Sequence, residues 1–188
     1  MRRPALWRLF RGPIRAQFDH LAPGWDGMRR GDPVAVIDAA LPALDPPPRR
    51  ILDLGTGTGL AAFILAERFP QAHVVGVDLS SRMVEEAKRK SPPELRARIR
   101  FEQGDASALP YEDAAFDLVS LANMIPFFDE LARLVAPGGA ALFSFSIGSS
   151  TPIYVAPERI RAELGRRGFT EFADFSAGPG TAVLARRG

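Results

Sequence analysis

The stretch Ile51-Leu-Asp-Leu-Gly-Thr-Gly-Thr-Gly-Leu60 is a short apolar run that ends in three alternating glycines. A continuous apolar run suits a parallel strand buried on both faces. Glycines let the backbone turn tightly and approach a ligand, because they carry no Cβ. The Ala- and Leu-rich stretch 60–69 follows at once and predicts a helix whose N-terminus faces the same ligand. The stretch therefore predicts half of a βαβ unit with a loop that meets a nucleotide-like cofactor.

Downstream of this loop, strand-like and helix-like segments alternate. This order predicts a doubly wound α/β fold with a mostly parallel sheet covered by helices. Near the C-terminus, Gly178-Pro179-Gly180 separates two strand-like runs and predicts an antiparallel hairpin. The predicted strands are 51–54, 73–77, 99–101, 116–121, 140–145, 169–175 and 181–185, and the predicted helices of this part are 59–68, 80–90, 127–135 and 157–167.

The first 48 residues have a different character. Residues 1–33 mix arginine, proline, glycine and aromatic residues, with one short amphipathic stretch from Trp7 to Phe18, and we interpret them as an arm over the domain. Residues 34–44 have helical spacing, and Asp45-Pro46-Pro47-Pro48 ends that helix as a rigid linker. We therefore divide the chain into an N-terminal arm and lid helix, residues 1–48, and a cofactor-binding domain, residues 49–188.

Composition limits the class of protein. The chain has 188 residues, 46% of them hydrophobic and 24% charged, which fits one soluble globular domain. It has no cysteine, which excludes disulfides and thiolate chemistry, and its net charge is only +2. We find neither a membrane-spanning stretch nor an export signal and predict a cytoplasmic protein. The arm is locally positive, with Arg2, Arg3, Arg8, Arg11, Arg15, Arg29 and Arg30.

Three acidic residues belong to the ends of three successive predicted strands. Asp53 lies in the first strand, Asp78 follows Val74-Val-Gly-Val77, and Asp105 follows the third strand. In an open α/β sheet the ligand crevice lies outside the carboxyl ends of the strands, so the three carboxylates should line one cleft. Each residue alone could equally cap a helix or a turn. Their order at successive strand ends favours a binding site.

Several segments together resemble the motifs of class I S-adenosylmethionine-dependent methyltransferases. These segments are 51–59, Val74-Val-Gly-Val-Asp-Leu-Ser80, Gly104-Asp-Ala106, Phe116-Asp-Leu-Val119 and Arg133-Leu-Val-Ala-Pro-Gly-Gly139. The segment Phe18-Asp-His-Leu-Ala-Pro-Gly-Trp-Asp26 is similar to the lead-in of small-molecule members, including the quinone-biosynthesis type. The resemblance implies a seven-stranded Rossmann-like sheet whose last strand is antiparallel, with S-adenosylmethionine as cofactor.

The resemblance also implies roles for matched residues. Asp53 would reach the amino group of the cofactor, Asp78 would hold the ribose hydroxyls, and Asp105 would accept from the adenine amino group. The remaining implied contacts are Gly55, Thr56, Gly57 and Gly59 at the methionine part, Leu79, Met83 and Ala106 at the adenine, and Leu121, Ala122 and Asn123 near the sulfonium.

One segment departs from the family pattern. Residues 120–136 are shorter than usual, and Asn123-Met-Ile-Pro-Phe-Phe128 replaces the expected helix at the substrate border. This segment resembles the Asn-Pro-Pro-Tyr motif of amino-group methylases only loosely, so we predict a small-molecule acceptor and no nucleic acid. Aromatic residues that could line an apolar acceptor pocket are Trp25, Tyr111, Phe127, Phe128 and Tyr154, with ordinary packing as the alternative.

The reaction would be direct displacement of the methyl group, for which positioning matters most. His20 in the arm is the one candidate for a general base, with a surface role as the alternative, whereas His73 begins a strand away from the cleft edge. Two isolated histidines without cysteines predict no metal site.

Two alternative functions stay open from the sequence. A NAD(P)-dependent oxidoreductase also fits Gly57 to Ala62 together with Asp78. A catalytically silent S-adenosylmethionine-binding module fits the short segment 120–136 and the lack of a clear base. The sequence leaves open the acceptor atom and the choice between monomer and homodimer.

Overall fold

The computed structural model describes residues 4–28 and 30–188, and its centre is a seven-stranded sheet. The strands are β1 (Arg50–Leu54), β2 (His73–Asp78), β3 (Ile99–Gln103), β4 (Phe116–Ala122), β5 (Val135–Phe145), β6 (Phe169–Ala177) and β7 (Gly180–Arg187). Their spatial order is β3-β2-β1-β4-β5-β7-β6, and β7 runs antiparallel to both of its neighbours. The predicted α/β sheet with an antiparallel last strand is therefore confirmed.

Helices cover both faces of the sheet. They are α1 (Pro4–Leu21), α2 (Pro33–Ala40), α3 (Leu60–Arg68), α4 (Ser81–Lys90), α5 (Phe128–Leu134) and α6 (Pro157–Gly165). Along β1, Ile51 belongs to the core cluster with α2, α3 and α4 on one face, while Leu52 belongs to the cluster with α5 and α6 on the other. Both residues are fully buried, which explains why the strand is apolar at successive positions.

Strand β5 begins five residues earlier than its predicted start at Ala140. Its first residue, Val135, pairs with Phe116, and the next paired residue, Ala140, already lies opposite Leu118. The intervening Pro137-Gly138-Gly139 therefore bulges out of the ladder. Proline lacks an N–H and glycine favours bends, so the sequence pattern of this segment is that of a turn although a strand runs through it.

The N-terminal arm is more regular than the sequence predicts. Helix α1 has 18 residues and continues through Pro13, beyond the short periodic stretch that begins at Trp7. A 3₁₀ helix, Ala22–Met28, follows and leads back over the glycine loop. Arg2, Arg3 and Arg29 of the predicted positive arm lie outside the described residues.

Helix α2 precedes the predicted domain start near Arg49, yet it packs against β6 and β7. Val36, Ile37 and Ala40 are fully buried there, and the Asp32 side chain caps the helix by accepting from the amide of Ala35. Within residues 4–28 and 30–188, no helix is both long and apolar enough to cross a membrane.

Candidate functional site

The glycine loop is attached to the end of β2 by Asp78. The amide of Gly57 donates to Asp78 Oδ2 at 2.9 Å, and the amide of Ser80 donates to Oδ1 at 2.9 Å. Gly57 has φ +54°, a conformation that L side chains rarely adopt. A carboxylate offers about four lone-pair sites. These two amides therefore leave acceptor capacity on Asp78 for further donors.

Burial dominates the electrostatics of Asp78. Desolvation raises the pKa of its carboxyl above the ordinary value, and the charge of Asp19 acts in the same direction. The amide hydrogen bonds from Ser80 and Gly57 oppose this effect. A ligand that donates hydrogen bonds to this carboxylate would stabilise its charged form.

Asp53 is a buried carboxylate to which no residue in 4–28 or 30–188 donates a hydrogen bond. Its side chain is 1% exposed. Burial raises its pKa to about 7, although the nearby hydroxyls of Thr56 and Ser120 lower it. Those two hydroxyl oxygens are also buried and have no hydrogen-bond partner among the described residues. Buried polar groups without hydrogen-bond partners are rare and costly. This cluster therefore indicates a site where a ligand would donate a hydrogen bond.

Asp105 contacts the arm. Trp7 Nε1 donates to Asp105 Oδ1 at 2.8 Å and to Oδ2 at 3.0 Å, and Arg11 Nη1 lies 3.3 Å from Oδ2. The amide and the hydroxyl of Ser107 donate to Oδ1 at 2.9 and 2.7 Å. Partial burial raises the pKa of Asp105, but the hydrogen bonds from Ser107, Trp7 and Arg11 outweigh it and hold this pKa below the ordinary value.

The rest of the arm covers the glycine loop. Asp26 accepts from Thr58 Oγ1 and from Lys90 Nζ, both at 2.5 Å. Trp25 Nε1 lies 3.4 Å from the point where a Cβ on Gly57 would stand. Further along the arm, Asp19 Oδ1 accepts from Ser80 Oγ at 2.6 Å. The arm is therefore hydrogen-bonded to both sides of the candidate cleft.

At the end of β4 the backbone takes an unusual conformation. Asn123 has φ +49°, and its side chain accepts from the amide of Ser146 at 3.0 Å and donates to Ser146 Oγ at 3.1 Å. The next residue, Met124, lies over the glycine loop, with Cγ 2.8 Å from the point where a Cβ on Gly55 would stand. Asn123 thus ties the ends of β4 and β5 together and directs Met124 toward the loop.

The other predicted contacts differ in accessibility. Met83 and Leu121 are each 1% exposed, so they support the site from within the core. Leu79 and Ala122 are half-buried at the carboxyl ends of β2 and β4. The remaining predicted residues Gly55, Thr56, Gly59 and Ala106 are buried or half-buried in the same loops.

Three residues considered from the sequence lie elsewhere. His73 and Tyr111 line a cavity at the amino edge of the sheet, together with Arg50, Arg96, Arg98 and Arg100, and the Tyr111 hydroxyl donates to Glu102 Oε2 at 2.6 Å. Phe128 packs in the core at 6.1 Å between ring centroids from Phe143. These positions argue against Tyr111 and Phe128 as acceptor-pocket residues.

The remaining candidates from the sequence are His20, Tyr154, Phe127 and a metal site. His20, the candidate base, is exposed on α1. Tyr154 packs edge-on against Phe145, and Phe127 against Trp7, each at 5.0 Å between ring centroids. In the described part of the chain, no group of three His, Asp or Glu side chains could hold a metal ion.

The sequence did not indicate several residues of this site. Trp7, Arg11, Asp19, Asp26, Met124 and Ser146 all reach the cleft through contacts between distant parts of the chain. The available signals were the amphipathic stretch from Trp7, the lead-in segment 18–26 and the segment 123–128, and none of them identified a contact partner.

The residues present fit the predicted cofactor. Asp53 offers an unpartnered carboxylate where a cationic amino group would lie, and Asp78 keeps acceptor capacity for ribose hydroxyls. Gly55 and Gly57 have positive φ values, which favour glycine, so the loop carries no Cβ at these two positions. A loop of this kind with acidic residues at successive strand ends offers the acceptors that the hydroxyls and amino groups of an adenosine-type ligand would need.

Comparison with known families agrees with this geometry. Residues 51–139 match the family described as "Methyltransferase domain". The demethylmenaquinone methyltransferase of Deinococcus radiodurans is 39% identical over 138 residues, covering 67% of this chain and 57% of that protein. The malonyl-[acyl-carrier protein] O-methyltransferase of Halorhodospira halophila is 39% identical over 146 residues, covering 70% and 47%. This chain thus spans about half the length of these relatives.

A solved structure shows the same fold. Human N-acetylserotonin methyltransferase, in complex with SAM, has a TM-score of 0.66 and 19% sequence identity, over 98% of this chain and 59% of that one. This likeness confirms the predicted Rossmann-like fold. The family match and the methyltransferase relatives agree with the predicted class I S-adenosylmethionine-dependent methyltransferases. The comparisons give no support to the oxidoreductase alternative.

Proposed function

Because this chain belongs to the class I S-adenosylmethionine-dependent methyltransferases, we propose that it transfers the methyl group of S-adenosylmethionine to a small molecule. One observation carries the proposal: a glycine loop with positive φ values joins the unpartnered carboxylate of Asp53 to the carboxylate of Asp78. We propose residues 49–188 as the cofactor-binding domain and residues 1–48 as its covering arm, working in the cytoplasm.

In this proposal the carboxylates hold the cofactor by three different groups. Asp53 binds the amino group, Asp78 the ribose hydroxyls and Asp105 the adenine amino group. Each pairing matches an acceptor with a donor, and that with Asp53 also matches opposite charges. The supporting contacts come from Gly55, Thr56, Gly57, Gly59, Leu79, Met83, Ala106, Leu121, Ala122 and Asn123.

The bound cofactor supplies an electrophilic methyl group on a sulfonium. In the proposed transfer, the acceptor atom would bond to this methyl as the bond from methyl to sulfur breaks, and any proton on the acceptor would leave to a base or to water. The residues of this chain contribute mainly by positioning the two reactants in line. Asn123 is hydrogen-bonded to Ser146 and so holds the end of β4, which would border the reacting methyl in this proposal.

We propose an apolar small molecule as the acceptor. Phe18 and Trp25 form an edge-to-face pair at 5.4 Å above the glycine loop, and pockets for small molecules are mostly apolar. The names of the relatives include two different acceptors, demethylmenaquinone and malonyl-[acyl-carrier protein]. The proposal of an apolar acceptor therefore rests on the Phe18–Trp25 pair and not on the relatives.

Calorimetry with S-adenosylhomocysteine tests the cofactor assignment on the full chain. We expect saturable binding, and a larger thermal stabilisation by S-adenosylhomocysteine than by NADH. Incubation with S-adenosylmethionine and either a demethylated quinone or a malonyl thioester should then release S-adenosylhomocysteine. Absence of S-adenosylhomocysteine binding, or preference for NADH, would refute the proposal.

A second candidate function is that of a catalytically silent module that only binds the cofactor. Such a protein would bind S-adenosylhomocysteine normally, but it would not convert S-adenosylmethionine to S-adenosylhomocysteine with any acceptor. The short α5 of seven residues, Phe128–Leu134, is the feature that favours this second candidate.

A further inference from the structure

Trp7 occupies the neighbourhood of the carboxylate that the proposed function assigns to adenine. The indole is 6% exposed, and its N–H lies 2.8 and 3.0 Å from the two oxygens of Asp105. Phe127 packs edge-to-face against the ring at 5.0 Å between centroids, with an interplanar angle of 67°. A flat aromatic ring with an N–H directed at this carboxylate presents the same donor as the amino group of adenine.

The hydrogen-bonding capacity of Asp105 is filled in this arrangement. Its carboxylate has about four lone-pair sites. The donors that contact it are the Trp7 indole, Arg11 Nη1, and the amide and hydroxyl of Ser107. Ser107 is two residues away in the same loop, so its donors stay with Asp105. The donors from α1 must therefore give way before adenine can bond to this carboxylate.

We propose that Trp7 is a displaceable plug of the adenine subsite, so that the cofactor binds only after the N-terminal half of α1 has moved away. The proposal rests on the proposed function, because it takes Asp105 as the adenine acceptor. In the free protein the plug satisfies Asp105 and shields Phe127. On cofactor binding the adenine takes over both contacts.

Helix α1 has a hinge in the position that such a movement needs. Pro13 has no N–H, so the helical hydrogen bond to the carbonyl of Leu9 is missing. Its neighbour Gly12 adds the flexibility of a residue without a Cβ. On the far side of this pair, Asp19 holds the helix to Ser80 Oγ at 2.6 Å. The plug and the anchor thus lie on opposite sides of Gly12-Pro13.

A plug of this kind lowers the apparent affinity for the cofactor. When only a fraction of the molecules is open, the measured dissociation constant is the intrinsic one divided by that fraction. Any change that weakens the closed state must then tighten binding. This outcome is the opposite of that expected for a residue that contacts the cofactor directly.

Calorimetric titration with S-adenosylhomocysteine should compare wild type, Trp7→Phe and Phe10→Ala. Trp7→Phe keeps an aromatic ring but removes the N–H, and we expect about tenfold tighter binding, which corresponds to about 1.4 kcal/mol. Phe10 lies on the same helix and is 55% exposed, so Phe10→Ala should bind as wild type does. Equal or weaker binding by a folded Trp7→Phe variant would overturn the proposal.

Fluorescence provides an independent measurement, because the chain has only two tryptophans, Trp7 and Trp25. In the Trp25→Phe variant, Trp7 is the sole indole. Saturation with S-adenosylhomocysteine should shift its emission to longer wavelength as the ring leaves its buried position. Unchanged emission at a concentration that calorimetry shows to be saturating would mean that Trp7 stays in place, and the plug would be wrong.

Stiffening the hinge should have the reverse effect on affinity. The double variant Gly12→Ala/Pro13→Ala restores the missing helical hydrogen bond and favours the closed helix. We expect binding several-fold weaker than wild type, and tighter binding would contradict the hinge. If no variant and no wild type binds S-adenosylhomocysteine, the proposed function itself fails. If all bind equally, only the plug fails.

Discussion

The backbone amide of Gly57 donates a hydrogen bond of 2.9 Å to Oδ2 of Asp78. The loop after β1 is thereby fixed to the end of β2, its neighbour in the sheet. Because Gly57 has φ +54°, the amide points at the carboxylate from a backbone conformation that favours glycine. One carboxylate therefore both shapes the glycine loop and keeps oxygen lone pairs for a ligand.

Replacing Asp78 should weaken cofactor binding. For Asp78→Ala we expect a loss of roughly 1.5 to 3 kcal/mol in the binding free energy of S-adenosylhomocysteine, the size of a hydrogen bond to a charged group. Calorimetry measures this loss. Asp174→Ala is a matched control, because Asp174 lies on β6 outside the cleft and pairs with Arg161 of α6. Unchanged affinity in Asp78→Ala would remove Asp78 from the site.

The variant Asp53→Asn should stabilise the fold at high pH. The pKa of Asp53 is about 7 in the folded protein and about 3.9 in unfolded chains. Folding is therefore favoured by this group below pH about 4, and the contribution is lost as the pH rises through about 7. The difference between the two pKa values corresponds to a loss of as much as about 4 kcal/mol in the free energy of unfolding.

Thermal melts of wild type and Asp53→Asn at pH 5 and pH 8 check this expectation. The variant should melt higher than wild type at pH 8, and the difference should be smaller at pH 5, where Asp53 is protonated. A difference that does not depend on pH would show that the carboxyl does not titrate in this range.

Cofactor affinity should rise with pH. In the free protein Asp53 is protonated below pH about 7, and the amino group of the cofactor would favour its charged form, so binding releases a proton. We expect S-adenosylhomocysteine to bind up to about tenfold more tightly at pH 8 than at pH 6. Calorimetry in two buffers of different ionisation enthalpy measures both the affinity and the released proton. In Asp53→Asn the pH dependence should flatten.

Replacing Asn123 by glycine should destabilise the fold less than replacing it by alanine. Both variants lose the hydrogen bonds to Ser146, but only alanine is strained at φ +49°. The left-handed conformation costs an L residue about 1 to 2 kcal/mol, partly offset by the greater freedom of glycine in the unfolded chain. Urea unfolding should therefore find Asn123→Ala about 0.5 to 1 kcal/mol less stable than Asn123→Gly. The reverse order would show that the backbone here relaxes.

The parts of the fold that depend on local pattern could be predicted from the sequence. Ile51 to Leu54 form a strand as expected, because residues buried on both faces must be apolar at every position. Helix α1 and the start of β5 were missed for a common reason. Pro13 and Pro137 interrupt the local pattern, and contacts with distant segments stabilise both elements nevertheless.

The candidate site also has a part that could be predicted from local sequence patterns and a part that could not. Asp53, Asp78 and Asp105 could be placed together from their order at strand ends, since parallel strands end at one edge. The contact of Trp7 with Asp105 joins residues 98 positions apart, and that of Asp26 with Lys90 joins residues 64 apart. A single sequence contains no periodic signal for such pairs, so only the structure shows how the arm meets the cleft.

The position of β7 in the sheet affects how the nascent chain can fold during synthesis. This strand follows every other strand in the sequence, yet it lies between β5 and β6. Until residues 180–187 have emerged from the ribosome, β6 has no strand to pair with and one edge of β5 is open. Domains generally fold as units during synthesis. Here the sheet can close only once β7 has been released, so the nascent chain must shield an unpaired β5 edge until then.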